Sequence, residues 1–124
     1  MIAVDSSSFI AFLSGDEGDD VDAVAIALAQ KQAVLPPVAL SELLSDPKLP
    51  QAVATLLKQL PLLPLTEGFW ERVGSMRSRI LKSGRKARLA DALIAQSCLD
   101  HDVALVTRDD DFRHFAQAGK LKIL

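Results

Sequence analysis

The sequence predicts an α/β fold in three layers, with helices on both faces of a mostly parallel central sheet. Three observations carry this. The chain opens on an unbroken apolar run, Met1-Ile2-Ala3-Val4, that stops at Asp5. A run without alternation suits a strand buried on both faces. Similar short runs recur at residues 33–35 and 104–106, with segments of helical period between them. Strands alternating with helices argue for a parallel sheet covered on both sides.

Residues 2–5 are the first predicted strand. A short helical turn over 9–13 ends at Ser14-Gly15. Asp19 or Asp20 is expected to cap the next helix, which runs to about Gln32. Its stretch 23–29 is apolar nearly all round, the pattern of a helix buried on more than one side, whether by the core or by another subunit. Residues 33–35 form a strand stopped by Pro36-Pro37, and Pro37 suits the first turn of a helix. That helix, 38–45, points Leu40, Leu43 and Leu44 inward. Pro47 breaks it, and Pro50 opens another to about Leu60. Residues 62–65 make an edge strand at best, because Pro64 cannot donate to a ladder. Thr66 is expected to cap a long helix with Phe69, Val73, Met76 and Ile80 on one face, ended by Gly84. Residues 89–99 are helical, with Leu89, Leu93, Ile94 and Cys98 facing in. The strand 104–106 leads through 107–111 into a short helix bearing Phe112, Phe115 and Ala116, closed by Gly119. Residues 121–124 are a last strand. Phe69, Trp70 and Phe112 read as core, and Cys98 as a small buried hydrophobe.

At 124 residues, a single domain over 1–124 is expected. The composition, 49% hydrophobic, is that of a globular chain. A single cysteine excludes an intrachain disulfide, and with no signal peptide the expected location is a reducing cytoplasm. The apolar stretches fall short of the ~20 residues that cross a membrane. The net charge of −2 hides an asymmetry. Residues 1–30 hold six acids and no base, whereas residues 71–88 hold seven bases and one acid. A segregated basic segment suits a polyanion or an acidic partner, and equally a solvated helix face.

The acids at strand ends are the candidate site. In an open α/β sheet the strand-to-helix junctions share one edge, where ligands gather. Asp5 ends the first strand and Asp109 follows the strand 104–106. Glu42 lies about one and a half turns into its helix, and Asp91 in the first turn of another. Asp91 and Asp109 at helix starts also complement the helix dipole, and Glu42 reads as exposed. Asp5 has no such ordinary role, because strands disfavour Asp. Together the four need neutralising: two like charges 4 Å apart cost about 4 kcal/mol at an effective dielectric of 20. Mg²⁺ or Mn²⁺, hard and oxygen-seeking, would do it. A soft-metal site is disfavoured, since Cys98 is alone and His101 and His114 lack ligand spacing.

These residues carry a resemblance. Val4-Asp5-Ser6-Ser7, Ser41-Glu42-Leu43, the run Leu89-Ala90-Asp91-Ala92-Leu93-Ile94-Ala95 and the run Leu105-Val106-Thr107-Arg108-Asp109-Asp110-Asp111-Phe112 stand in this order. In that order and spacing the chain resembles PIN domains, and specifically VapC-type toxin ribonucleases, over essentially its whole length. The resemblance implies a PIN-like (Rossmann-like) domain. It implies that Asp5, Glu42, Asp91 and Asp109 form a catalytic cluster around one or two Mg²⁺ or Mn²⁺ ions. Asp5 and Asp91 would be the main metal ligands, with Glu42 and Asp109 acting partly through coordinated water. Ser6 and Thr107 match supporting hydroxyls, and Asp111 a frequent, less essential acid. The implied activity is RNA phosphodiester hydrolysis leaving 5′-phosphate and 3′-hydroxyl ends. The implied partners are an antitoxin protein and a second copy in a homodimer.

Two further readings stay open. Arg85, Lys86 and Arg88 precede the Asp91 helix and could hold an RNA backbone. A phosphomonoesterase of the haloacid dehalogenase kind would use Asp5 as nucleophile, but it wants an acid two residues on, where Ser7 stands. No Gly-rich phosphate loop follows the first strand. A non-catalytic module binding RNA or a partner is the other alternative.

Overall fold

A computed structural model describes residues 1–124. Three strands, β1 (Ile2–Val4), β2 (Ala33–Val34) and β3 (Ala104–Val106), form a parallel sheet in the order β2-β1-β3. Ile2 pairs with Ala33 on one side and Ala104 on the other, and Val4 pairs with Val106. Residues 62–65 and 121–124 do not become strands. Each contributes one parallel bridge, Leu35 to Leu62 and Leu105 to Ile123, beyond the two sheet edges.

Successive strand residues point to opposite faces, and the core divides accordingly. Ala3, Val34 and Leu105 face one cluster, built with Phe69, Val73, Met76 and Ile80 of α5 (Phe69–Lys82) and Ile94 and Cys98 of α6 (Leu89–Asp100). A 3₁₀ turn, Asp110–Phe112, and α7 (Arg113–Gly119) add Phe112 and Phe115 there. Val4, Ala33, Leu35 and Val106 face the other cluster. It is closed by α1 (Ser6–Leu13), α2 (Asp19–Ala29), α3 (Pro37–Leu44) and α4 (Gln51–Gln59), through Phe9, Val24, Leu43 and Leu57. This is the three-layer α/β/α arrangement. No helix is long and apolar enough to cross a membrane.

Several local expectations differ. The caps of α2 and α5 are Gly18 and Gly68, both at positive φ, not an aspartate or Thr66. The polar side chains have distant partners instead: Asp20 holds Arg108, and Thr66 lies between Arg72 and Asp100. Gly119 does not close α7; Lys120 does, at φ 63°. Gly119 lies where a Cβ would stand 3.1 Å from the Met76 sulfur, so close packing explains it. In α2 only Val24 and Ala27 are buried, and Ile26 is 56% exposed, so this chain covers one side of that helix. Trp70 is 62% exposed, one position off the α5 core stripe. Leu89 is 56% exposed because it starts α6, ahead of the turn that meets the core.

Phe112→Ala should therefore lower stability by about 3–5 kcal/mol, the range for a large buried aromatic. Trp70→Ala should cost no more than about 1.5 kcal/mol, mostly from its edge-to-face contact with Phe69. Urea unfolding followed by circular dichroism measures both. Equal losses would contradict this placement of the core.

A candidate metal centre at the carboxyl edge of the sheet

β1 runs straight into α1 through Asp5, whose backbone N–H donates to the Val106 carbonyl of β3 at 2.9 Å. Asp5 is 3% exposed. Its side chain does not cap α1. Oδ2 instead accepts two hydroxyls, from Ser7 at 2.6 Å and Thr107 at 2.8 Å. Both use the same oxygen, and Oδ1 takes no hydrogen bond from the protein. Thr107 also accepts the Asp109 N–H at 3.0 Å, so one hydroxyl joins the two strand ends. Of the expected supporting hydroxyls, Thr107 is at Asp5. Ser6 is not: it donates to Glu42 at 3.1 Å. Ser7 takes the place at Asp5. The signal for it was the run of three serines after the aspartate, where a hydroxyl two residues on can reach back to the carboxylate.

Asp91 stands in the first turn of α6. A helix N-terminus favours a carboxylate by at most ~1 kcal/mol. Here that is outweighed: burial, then the charges of Asp109 and Asp5, push its pKa up to about 6. Its Oδ2 is buried and has no hydrogen-bond partner. Asp109 caps the 3₁₀ turn, accepting the Asp111 N–H at 2.9 Å. Oxygens of Asp91, Asp109 and Asp111 lie within 4.8 Å of one another. Asp5 and Glu42 stand outside that tight group but near enough for their charges to raise the Asp91 pKa. Burial also pushes the Glu42 carboxyl up, partly offset by the Ser6 hydroxyl.

The basic segment divides. Lys86 pairs with Asp111 at 3.1 Å, and Arg88 stands 4.0 Å from it. Lys86 holds the Asp111 carboxyl below its usual range. Arg85 is exposed and makes no salt bridge. A second tie, not foreseen in the sequence, braces the same edge. Arg108, between Thr107 and Asp109, donates to both Asp20 oxygens at 2.8 and 3.0 Å, and Ser8 donates to Asp20 as well. Arg108 lowers the Asp20 pKa to about 2. Gly18 leaves room for this pair, since a Cβ there would meet Asp20 at 2.7 Å.

The donor set fits a hard divalent cation. It is all carboxylate, it includes a buried oxygen with no partner on Asp91, and Asp5 offers an unused oxygen. Cys98 is fully buried, its thiol pushed up to about 12 by loss of solvent, and plays no part.

A sequence model of the PIN domain matches residues 2–118. Solved structures share the fold, among them three that align over nearly the whole chain. VapBC2 from Rickettsia felis, bound to a DNA fragment from its promoter, is 17% identical with a TM-score of 0.74, over 100% of this chain and 98% of that one. FitAcB from Neisseria gonorrhoeae is 19% identical, with a TM-score of 0.73 over 100% and 96%. VapBC-5 from Mycobacterium tuberculosis, of the VapBC family of toxin-antitoxin systems, is 20% identical, with a TM-score of 0.67 over 99% and 96%. No curated protein matches the sequence.

The crowding at Asp91 has a pH signature. Its folded pKa, about 6, lies above the ordinary 3.8. The stability linked to the protonated form is therefore full below about pH 4 and lost as pH rises through 6. In EDTA, Asp91→Asn should be more stable than the parent at pH 8, by about 1 kcal/mol after allowing for solvent screening. The gain should fade towards pH 4. Added Mg²⁺ should raise the parent's Tm more than the variant's. Thermal melts at both pH values, with and without the cation, measure this. A variant no more stable than the parent at pH 8 would mean that Asp91 is not under like-charge strain.

Proposed function

We propose that this chain, which belongs to the PIN domain family, is a divalent-metal-dependent endoribonuclease and the toxin of a toxin–antitoxin pair. The observation that carries the reading is the partnerless buried oxygen of Asp91, among further carboxylates at the strand ends. A lone acid in that state would be neutralised by a proton or relieved by a local donor. Asp91 has neither a protein donor nor a paired base, which suits an oxygen kept for an incoming cation.

Asp5 and Asp91 would hold Mg²⁺ or Mn²⁺, with Asp109 beside them. When bound, such an ion lowers the pKa of water and neutralises charge on phosphoryl oxygens. The protein's part is to fix the ligands and manage protons. Ser7 and Thr107 hold Asp5 by one oxygen and leave the other aimed elsewhere. Asp109 is fixed by the Thr107 hydroxyl and by the turn it caps. Glu42, with its raised pKa and its Ser6 hydrogen bond, is suited to take the proton of an attacking water. Water attacks phosphorus and the 3′ oxygen leaves, giving a 5′-phosphate and a 3′-hydroxyl. Lys86 and Arg88, beside Asp111, would hold the RNA backbone at the rim, with Arg85 further out.

VapBC-5 from Mycobacterium tuberculosis is a member of the VapBC family of toxin–antitoxin systems, which supports an antitoxin partner here. A groove of about 250 Å³ between α1, α3 and α4 would suit an amphipathic segment of it. Ile10, Leu13, Leu49 and Val53 line it, with Glu42 and Asp46 at hand for basic side chains. The half-exposed α2, with Ile26 in solvent, is compatible with a homodimer. We place the protein in the cytoplasm and read residues 1–124 as one domain. Phosphomonoesterase chemistry is disfavoured, since Ser7 at the position of the second acid donates to Asp5.

The purified chain should cut end-labelled RNA in Mg²⁺ or Mn²⁺ and not in EDTA. Asp5→Asn and Asp91→Asn, prepared identically, should lose at least about 100-fold, roughly 3 kcal/mol of transition-state stabilisation. Equal cutting by all three would indicate a contaminating nuclease. No cutting by antitoxin-free protein on several RNA classes would favour a non-catalytic binding module.

A further inference from the structure

The bases of residues 71–88 are not used alike. Arg72 is committed to Asp100 at 2.7 Å, and Lys86 and Arg88 to Asp111. Arg77, Arg79, Lys82 and Arg85 form no salt bridge. Two of these four line one groove. Gly74, Arg77, Ser78, Leu81 and Lys82 recur at helical spacing on a single face of α5, and Leu89 of α6 joins them around an open space of about 430 Å³. No carboxylate lines it. Leu81 and Leu89 are 45% and 56% exposed, so apolar surface stands in water beside unpaired cations. A Cβ added at Gly74 would meet nothing within 4 Å, so the groove is open there.

The groove is joined to the carboxylate cluster by a short, tied segment. Arg77 donates through Nε to the Ala87 carbonyl at 2.8 Å, fixing α5 to the chain entering α6. Leu89 is two residues before Asp91. Lys86 and Arg88, on the same segment, reach the cluster at Asp111. Cations therefore continue from α5 to the rim of the candidate metal centre.

We propose that this α5–α6 groove is a binding subsite for the backbone of single-stranded RNA extending from the scissile phosphate. The inference rests on the ribonuclease reading and adds to it the path of the substrate. The two unpaired cations of the groove, Arg77 and Lys82, followed by Lys86 and Arg88, fit a chain with one charge per residue. Exposed leucines can meet unstacked bases, which a duplex would not offer. The series of bases ends at a cluster whose chemistry is directed at phosphate, which favours RNA over an acidic protein.

The test measures binding apart from cleavage. In an Asp91→Asn background, a labelled single-stranded RNA oligonucleotide is titrated across a range of salt concentrations. Ser78→Glu, which puts an acid in the groove, should weaken binding about tenfold. Lys82→Gln should weaken it several-fold and flatten the log–log salt slope by about 0.7, the value of one single-strand phosphate contact. Lys58→Gln, an exposed lysine on α4 with the same charge change, should do neither. All these positions are exposed, and unchanged melting temperatures would exclude misfolding. If Ser78→Glu and Lys82→Gln bind RNA like the Lys58 control, the groove is not the RNA path. Normal cleavage by the same changes in the Asp91-intact protein would leave the ribonuclease reading standing. If the parent binds no RNA and the wild type cuts none, both readings fall.

Discussion

Asp5 lies almost out of water at the end of the central strand, in a place where a carboxylate costs several kcal/mol unless it is satisfied. The surrounding structure is arranged around that constraint. β1 stops there and α1 begins there, but the side chain is not used for the cap. Ser7 and Thr107, one from each side, bring their hydroxyls to a single oxygen. Thr107 can do so only because β3 runs parallel beside β1 in a register that aligns Val4 with Val106. The pairing of two three-residue strands thus sets the distance between the first acid and the loop that carries Asp109.

That loop is held at both ends. On one side Thr107 accepts the Asp109 N–H. On the other, Arg108 turns away from the cluster and closes on Asp20, drawing the α1–α2 connection against the sheet edge. This arrangement keeps a cation out of the cluster while using it to brace the cluster's frame. Arg108 is the basic partner of the acid-rich first thirty residues, which otherwise carry no base of their own. Lys86 does the complementary job at Asp111, while the buried Asp91 oxygen is left with no partner.

The layers and the parallel sheet could be read from the sequence because they depend on local pattern. Apolar runs mark β1 and β3, with Asp5 directly after the first and Asp109 three residues past the end of the second. What could not be read depends on partners far along the chain. Asp20 and Thr66 look like helix caps locally, but each has a stronger charged partner, 88 residues away for Asp20 and 34 for Thr66. A charge-assisted bond outweighs an ordinary cap, so glycine at positive φ takes the cap position instead. Residues 62–65 and 121–124 have strand composition, yet each meets the sheet at a single bridge. Trp70 sits one step off a buried stripe, and hydrophobicity alone does not resolve one step of 100°; Leu89 is exposed because it begins α6. The choice of Ser7 over Ser6 at Asp5 is the same problem at shorter range.

The charge asymmetry of the sequence becomes a spatial order in the fold. Three of the acids that a base reaches, Asp20, Asp100 and Asp111, have lowered pKa values. Asp91 in the cluster and Glu42 outside it are unpaired with a base and have raised ones. The same division holds for the bases: Arg72, Lys86 and Arg88 stand near acids and are committed, whereas Arg77, Arg79 and Lys82 are not. Paired charges mainly specify geometry and add little net stability. Unpaired charges of one sign, held close together, cost stability and are useful only toward a ligand of the opposite sign. This chain holds two such groups, one negative at the sheet edge and one positive on the neighbouring helix, joined by residues 86–91. On the proposed reading a single ligand system would answer both: a divalent cation for the first and a polyanion for the second. A phosphodiester chain cleaved at a metal brings the two together, and a protein partner alone would leave the buried carboxylates as strained as before.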